Sequence, residues 1–382
     1  MKTYDVIVVG LGAMGSAALF QLSKSGVNAL GIDRFDPPHD RGSSHGESRI
    51  TRAAIGEGEE YVPIVLRSNE IWREFEESTG TELLKQTGLL IFSSEDEDSM
   101  MHGKDILNET IRIAAKYRIE HEVLAESELA SRFPFVAFGP GARAYFEPGA
   151  GYLRPELCIE ANLSQAASYG ASVSKGETVI AIESAPGSVK VTTDRDNYEC
   201  GKLVLSAGAW ISKLLGPRPG YEAFRIYRQT MFWFETEADY SEEHFPAYIK
   251  AGDDEHSSYY GFPSIGGSRT IKIGVEQFDS ESDPDSVEKE VADEEYDDAY
   301  ELVSKSFRIG REGARSKTCL YTVTTDFGFV IDFLPESDNV LVVSPCSGHG
   351  FKHSAGVGLL SKQMVTGEQP FADVSRFRLN RA

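Results

Sequence analysis

The chain has 382 residues, 41% of them hydrophobic, which is enough for a sizeable core and favours two domains over one. Its formal net charge of -22 repels phosphate backbones and anionic lipid, so nucleic acid and membrane surfaces are not expected partners. The four cysteines, Cys158, Cys200, Cys319 and Cys346, form neither a CxxC pair nor a zinc spacing, which argues against a metal site and a disulfide framework.

Residues 4–9 (YDVIVV) are continuously apolar, as in a parallel strand buried on both faces. The run starts almost at Met1, with no charged leader or cleavage-site pattern, and so few cysteines make the expected location cytoplasmic. A helix is predicted over 16–25, closed by Gly26, and a second strand over 28–33. Further helices are predicted over 62–78, 105–118, 156–169 and 356–366, and strands over 88–93, 203–210 and 339–344. From about residue 225 the pattern changes to aromatic-lined strands at 227–235, 258–262 and 270–275, which read as antiparallel. Residues 279–298 are strongly acidic and read as a solvated helix and loop.

The first strand ends in Gly10-Leu11-Gly12-Ala13-Met14-Gly15. In this GxGxxG, Gly10 permits the tight turn, Gly12 lets backbone approach a pyrophosphate, and Gly15 lets helix and strand pack closely. The helix N-terminus offers free N–H groups to the phosphates. Asp33 ends the next strand, where a carboxylate accepts from a ribose 2′-OH and disfavours NADP. The motif does not separate NAD from FAD.

More specific are Asp36-Pro37-Pro38-His39, Gly42-Ser43-Ser44-His45-Gly46-Glu47-Ser48-Arg49, Gly56 to Pro63, Tyr227-Arg228-Gln229, Tyr259 to Pro263, Thr318-Cys319-Leu320-Tyr321-Thr322, and Ser347-Gly348-His349-Gly350-Phe351-Lys352. Spread over almost the whole chain, they resemble the monomeric sarcosine oxidase and N-methyltryptophan oxidase group. The resemblance implies an α/β, two-domain protein: a Rossmann-like FAD-binding domain from 1–85, 142–215 and 320–382, and an antiparallel-sheet substrate domain from 86–141 and 216–319. It implies oxidation of an N-substituted amino acid to an imine by hydride transfer to FAD, reduction of O2 to H2O2, and a largely monomeric state.

The same resemblance assigns residues. Cys319, which alone would read as a small buried hydrophobe, stands at the position of the covalent flavin link. Gly10, Gly12, Gly15, Asp33, Ser44, His45, Arg49, Gly348, His349, Gly350 and Lys352 are the expected cofactor contacts. Arg52 and Lys352 match a carboxylate-binding pair, a bidentate fork beside a point charge. Lys272 matches a lysine that serves oxygen activation, and Arg49 a charge beside the reduced ring. Tyr260 matches an aromatic wall of the substrate cavity. One departure bears on the substrate. Four residues after that lysine sarcosine oxidases carry a His, whereas this chain has Glu276, as fructosyl amino acid oxidases do. A carboxylate there accepts from an amine or a sugar hydroxyl and repels a second carboxylate. The rival readings are a flavin dehydrogenase using another electron acceptor, an NAD-dependent dehydrogenase, and a non-catalytic nucleotide-binding protein.

Overall fold

The computed structural model describes residues 1–94, 98–216, 224–254 and 256–381. The first apolar run forms strand Lys2–Val9, whose last four residues are buried. It pairs in parallel with Ala29–Asp33 on one side and Asn197–Leu205 on the other, and Ser172–Lys175 extends the sheet beyond Ala29–Asp33. Strands this apolar need helical cover. Helix Ala13–Lys24 provides it, packed between helices Pro155–Ser168 and Ser354–Thr366. The approach of the last helix is close: a Cβ on Gly358 would sit 2.6 Å from the Ala17 carbonyl carbon.

Strand Asn197–Leu205 divides its partners. Its first half pairs antiparallel with Ser188–Thr193 and its second half pairs parallel with Ser337–Ser344. The strand expected over 203–210 therefore begins at Asn197 and stops at Leu205, and Gly208–Trp210 is a single 3-10 turn. The expectation failed because residues 197–202 bury alternate side chains and lack a continuous apolar run.

A second sheet has eight strands, in the order Ile309–Val323, Arg225–Thr236, Thr270–Val275, Tyr259–Phe262, Ala247–Lys250, Leu89–Ser93, Arg143–Glu147 and Glu122–Ala125. All neighbours are antiparallel except Ala247–Lys250 with Leu89–Ser93, which run parallel. Its core is aromatic, with Phe92, Phe232, Phe234, Phe245, Tyr248 and Tyr259 all buried. The boundary expected at 142 would give Arg143–Glu147 to the nucleotide-binding unit, yet its hydrogen bonds join it to this second sheet. The boundary expected at 319–320 falls inside one continuous strand, Ile309–Val323.

Two small elements matter for the site. A three-stranded sheet of Arg49–Thr51, Gly151–Leu153 and Leu84–Lys85 holds the segment from Arg49 to Arg52. A hairpin, Met100–Met101 with Lys104–Asp105, turns through His102 (φ 50°) and Gly103 (φ 72°). Left-handed conformation at both central residues is what a two-residue hairpin requires. Among the described residues no helix is long and apolar enough to cross a membrane.

The strand-to-helix turn gives a paired test. A Cβ on Gly15 would lie 1.7 Å from the Gly10 carbonyl oxygen, whereas one on Gly12 would meet nothing nearer than the Ser44 hydroxyl at 3.8 Å. Gly15→Ala must move the helix off the strand and is expected to cost at least the roughly 1–3 kcal/mol typical of overpacking. Gly12→Ala should leave the thermal midpoint of the cofactor-free protein almost unchanged. Equal midpoints for the two variants would contradict this packing.

Candidate active site

A cavity of about 380 Å³ runs along the carboxyl ends of the parallel strands. Gly10, Gly12, Asp33, Ser44, Arg49, Gly348 and Gly350 all line it. Helix Ala13–Lys24 has no side-chain cap at its N-terminus, so its first N–H groups remain available. Gly10 (φ 87°) turns the chain, and a Cβ there would strike the Ser206 carbonyl at 2.5 Å. The Asp33 carboxylate accepts from the Leu11 and Phe35 N–H groups, both at 2.7 Å, which fixes it at the cavity wall.

At its outer end the cavity is bordered by Arg34, Trp210, Lys213 and Asp285. Asp285 receives hydrogen bonds from Lys213, from Trp210 Nε1 at 2.8 Å and from Arg34. These donors, Lys213 foremost, hold the Asp285 carboxyl well below its usual range. The reading of 279–298 as a solvated helix and loop is therefore incomplete. Helix Asp293–Ser304 is there, but the preceding loop reaches across to the nucleotide-binding unit.

The inner end is cationic. Arg49 donates to the Ser43 carbonyl at 2.5 Å and the Ser48 carbonyl at 2.8 Å. Lys272, only 1% exposed, donates to the carbonyls of Gly46 at 2.6 Å and Ser48 at 2.9 Å. Burial, then Arg49, push its ammonium far below the usual lysine range. His45 is buried beside them, and neither ring nitrogen has a partner among the described residues. Burial and the Arg49 charge bring it down to about 3, so it is neutral. Cys319 is buried, and burial raises its thiol while Arg49 and Lys272 oppose the rise. Cys346, which had no role in the sequence reading, lines the cavity itself.

A second cluster adjoins Gly348. Arg52, 2% exposed, grips the Glu57 carboxylate with one guanidinium nitrogen at 2.7 and 2.6 Å. The arginine segment is fixed from behind by buried Glu147, which accepts from Ala53 N–H at 2.6 Å, Ala54 N–H at 3.2 Å and Tyr145 hydroxyl at 2.7 Å. Lys352 donates to the His349 carbonyl at 2.7 Å, and burial lowers it to about 7 against the pull of Glu57. His349 is likewise brought to about 3 by burial and bonds the Phe327 carbonyl through Nε2 at 3.1 Å. Tyr260 and Tyr321 share a hydroxyl contact of 3.1 Å. Glu276 meets His102 Nε2 at 2.8 Å, and the His102 ring stacks on Phe327 at 4.9 Å.

The expected residues thus form two adjoining groups. Gly15 lies under the turn rather than on the cavity wall, and His45, Cys319, Lys272, Tyr260, Glu276, Arg52, His349 and Lys352 stand behind or beside the wall. Sequence reasoning missed Glu57, His102, Tyr321 and Asp285. Glu57 and Tyr321 lay inside quoted motifs without a role. His102-Gly103 was a readable hairpin signal, whereas Asp285 had no local signal.

A dinucleotide cradle at the strand ends, beside buried cations and under an antiparallel sheet, defines a dinucleotide-dependent oxidoreductase. The FAD dependent oxidoreductase (DAO) family model matches residues 5–364, and the chain belongs to that family. Within it the chain is 39% identical to the monomeric sarcosine oxidase of Bacillus sp. (strain NS-129), over 99% of this chain and 97% of that one. It is 33% identical to the N-methyl-L-tryptophan oxidase of Yersinia pestis (strain Pestoides F), over 99% of both. Among solved structures, the open form of NikD, an unusual amino acid oxidase essential for nikkomycin biosynthesis, superposes with a TM-score of 0.86 at 22% identity, covering 100% and 98% of the two chains. The protein is an FAD-dependent amine oxidase of the sarcosine oxidase family.

Glu57 occupies one nitrogen of the Arg52 guanidinium. A carboxylate binding at that nitrogen competes with Glu57, so Glu57→Gln should tighten binding of a simple carboxylate such as acetate by about tenfold, or 1.4 kcal/mol. Weaker binding of acetate, read from perturbation of the flavin spectrum, would show that Glu57 supports the pocket instead.

Proposed function

We propose that this enzyme oxidises amino acids carrying a polar N-substituent, with FAD bonded to Cys319 and O2 as electron acceptor. The observation that carries the reading is the buried pair Arg52 and Lys352 converging on a carboxylate position beside Tyr260, Tyr321 and the Glu276–His102 pair. Arg52 and Lys352 take the substrate carboxylate and thereby fix the rest of the molecule. When bound, FAD supplies the hydride acceptor and the electrons for oxygen. The protein's part is to orient the amine, hold it in its neutral form and keep water out.

Glu276 and His102 are the groups that set the N-substituent. Together they offer acceptor and donor positions for hydroxyls, and Glu276 disfavours a second carboxylate. Arg49 and Lys272 serve the opposite need, stabilising negative charge on the reduced ring and on reacting oxygen. A buried ammonium at Lys272 favours O2 over another acceptor. Four free cysteines agree with a cytoplasmic setting, and we take the enzyme to be a monomer.

For the covalent link, Cys319 and Cys346 are the rivals. A thiol must ionise to attack, and two cations act on Cys319 while none among the described residues acts on Cys346. The yellow colour should therefore stay with acid-precipitated protein, should move to the supernatant in Cys319→Ala, and should stay with the pellet in Cys346→Ala. The reverse pattern would transfer the link to Cys346. For the substrate, turnover of fructosyl-glycine should exceed that of sarcosine and N-methyltryptophan, and Glu276→Gln should lower that ratio by about tenfold, as expected for losing a hydrogen bond to a charged group. Strong preference for plain sarcosine would end the polar-substituent reading.

A further inference from the structure

Lys272 presents a problem that the proposed role does not solve. Its ammonium is almost fully buried and has no carboxylate in contact among the described residues. It is held by two carbonyls, by the Ser48 hydroxyl at 3.3 Å, and over the faces of Phe262 at 4.6 Å and Trp233 at 5.6 Å. Direct pairing with a carboxylate would satisfy it but would cancel the charge that oxygen needs. Carbonyl dipoles satisfy it without doing so, provided that they are fixed in place.

The two carbonyls belong to Gly46 and Ser48, which flank a single residue. Carbonyls at such spacing reach one point here because Gly46 (φ 93°) and Glu47 (φ 73°) are both left-handed. Glycine adopts this conformation freely, but for Glu47 it is strained. Something must hold it. The Glu47 carboxylate accepts from Trp233 Nε1 at 3.0 Å and from Arg315 at 3.1 Å, and the Arg315 guanidinium lies 4.3 Å from the Trp233 ring centre. Trp233 is the cross-strand partner of Lys272 itself. From the other side Glu156, in the first turn of helix Pro155–Ser168, accepts from the N–H groups of Gly46 at 2.6 Å and Glu47 at 3.2 Å.

Glu47, Glu156 and Arg315 also border an open cavity of about 340 Å³, where water screens their charges. The direct attraction of Glu47 and Glu156 for the Lys272 ammonium opposes its burial only in part, and the backbone they clamp is the second route by which they act on it. We propose that Glu47 and Glu156 are positioning residues for the oxygen half of the reaction, clamping the Gly46–Ser48 turn so that its two carbonyls aim the Lys272 ammonium at the flavin. This rests on the reading of Lys272 as the oxygen-side cation.

The test separates the two halves of turnover in the holoenzyme. Stopped-flow spectroscopy gives the rate of flavin reduction by substrate without oxygen, and the second-order rate of reoxidation by O2 after prior reduction. Glu47→Ala and Glu156→Ala should slow reoxidation by about tenfold or more, as expected when a preorganised charge is misplaced, while reduction changes little. Glu47→Gln keeps an acceptor for Trp233 and should recover most of the loss. Arg315→Met, which loosens Glu47 from outside the turn, should give a smaller loss of the same kind. Equal slowing of both halves in all variants would mean a general structural role and overturn the proposal. So would unchanged reoxidation in the Glu47 and Glu156 variants when Lys272→Met slows it. If Lys272→Met itself leaves reoxidation unchanged, the oxygen role of Lys272 falls and the proposal falls with it.

Discussion

Burying positive charge around one cavity is the constraint on which the rest of this site depends. Arg52, Lys272 and Lys352 are 2%, 1% and 5% exposed, and half-buried Arg49 lines the cavity itself. A buried charge left unsatisfied costs several kcal/mol, so each needs partners. The partners differ according to the work left to do. Arg52 has a full carboxylate, Glu57. Arg49, Lys272 and Lys352 have backbone carbonyls, which orient the cation and leave its charge unspent.

The histidines complete this arrangement by staying neutral. Burial dominates at His45, His349 and His353, and neighbouring cations push each further down. Three extra positive charges would oppose those of Arg49, Arg52, Lys272 and Lys352. Neutral rings instead fill space against aromatic neighbours such as Phe329 and Tyr61. His102 differs because its ring nitrogen meets a carboxylate, Glu276, at 2.8 Å.

What the sequence revealed follows the range of the interactions. The nucleotide turn was legible because strand, glycines and helix lie within one short segment, and each glycine answers a local steric demand. Lys272 stood out because a lysine on an otherwise apolar strand is unusual, whereas Arg52, Cys319 and Lys352 were picked out only by the family resemblance. Their partners were harder to read. Glu57 pairs with Arg52 five residues away, a contact that composition does not encode. His102 meets Glu276 across 174 positions of chain, through a two-residue turn lying between a predicted strand and a predicted helix. The domain boundary near 319 was blurred because Ile309–Val323 is one strand carrying Cys319 and Tyr321 to the cavity's inner end.

The acidic loop extends the same lesson to the cavity as a whole. Judged by composition it belongs in water, and most of its carboxylates are indeed exposed. Asp283 and Asp285 nevertheless face Lys213, and Asp285 also takes hydrogen bonds from Arg34 and Trp210, residues that only the folded first sheet assembles. These are solvent-accessible pairs of modest strength. Their value is geometric, because they fix the loop across the open end of the cavity. The cavity wall thus draws on residues outside the parallel sheet at both ends, Asp285 from this loop and Tyr321 from strand Ile309–Val323, so the nucleotide-binding sheet does not complete the wall by itself.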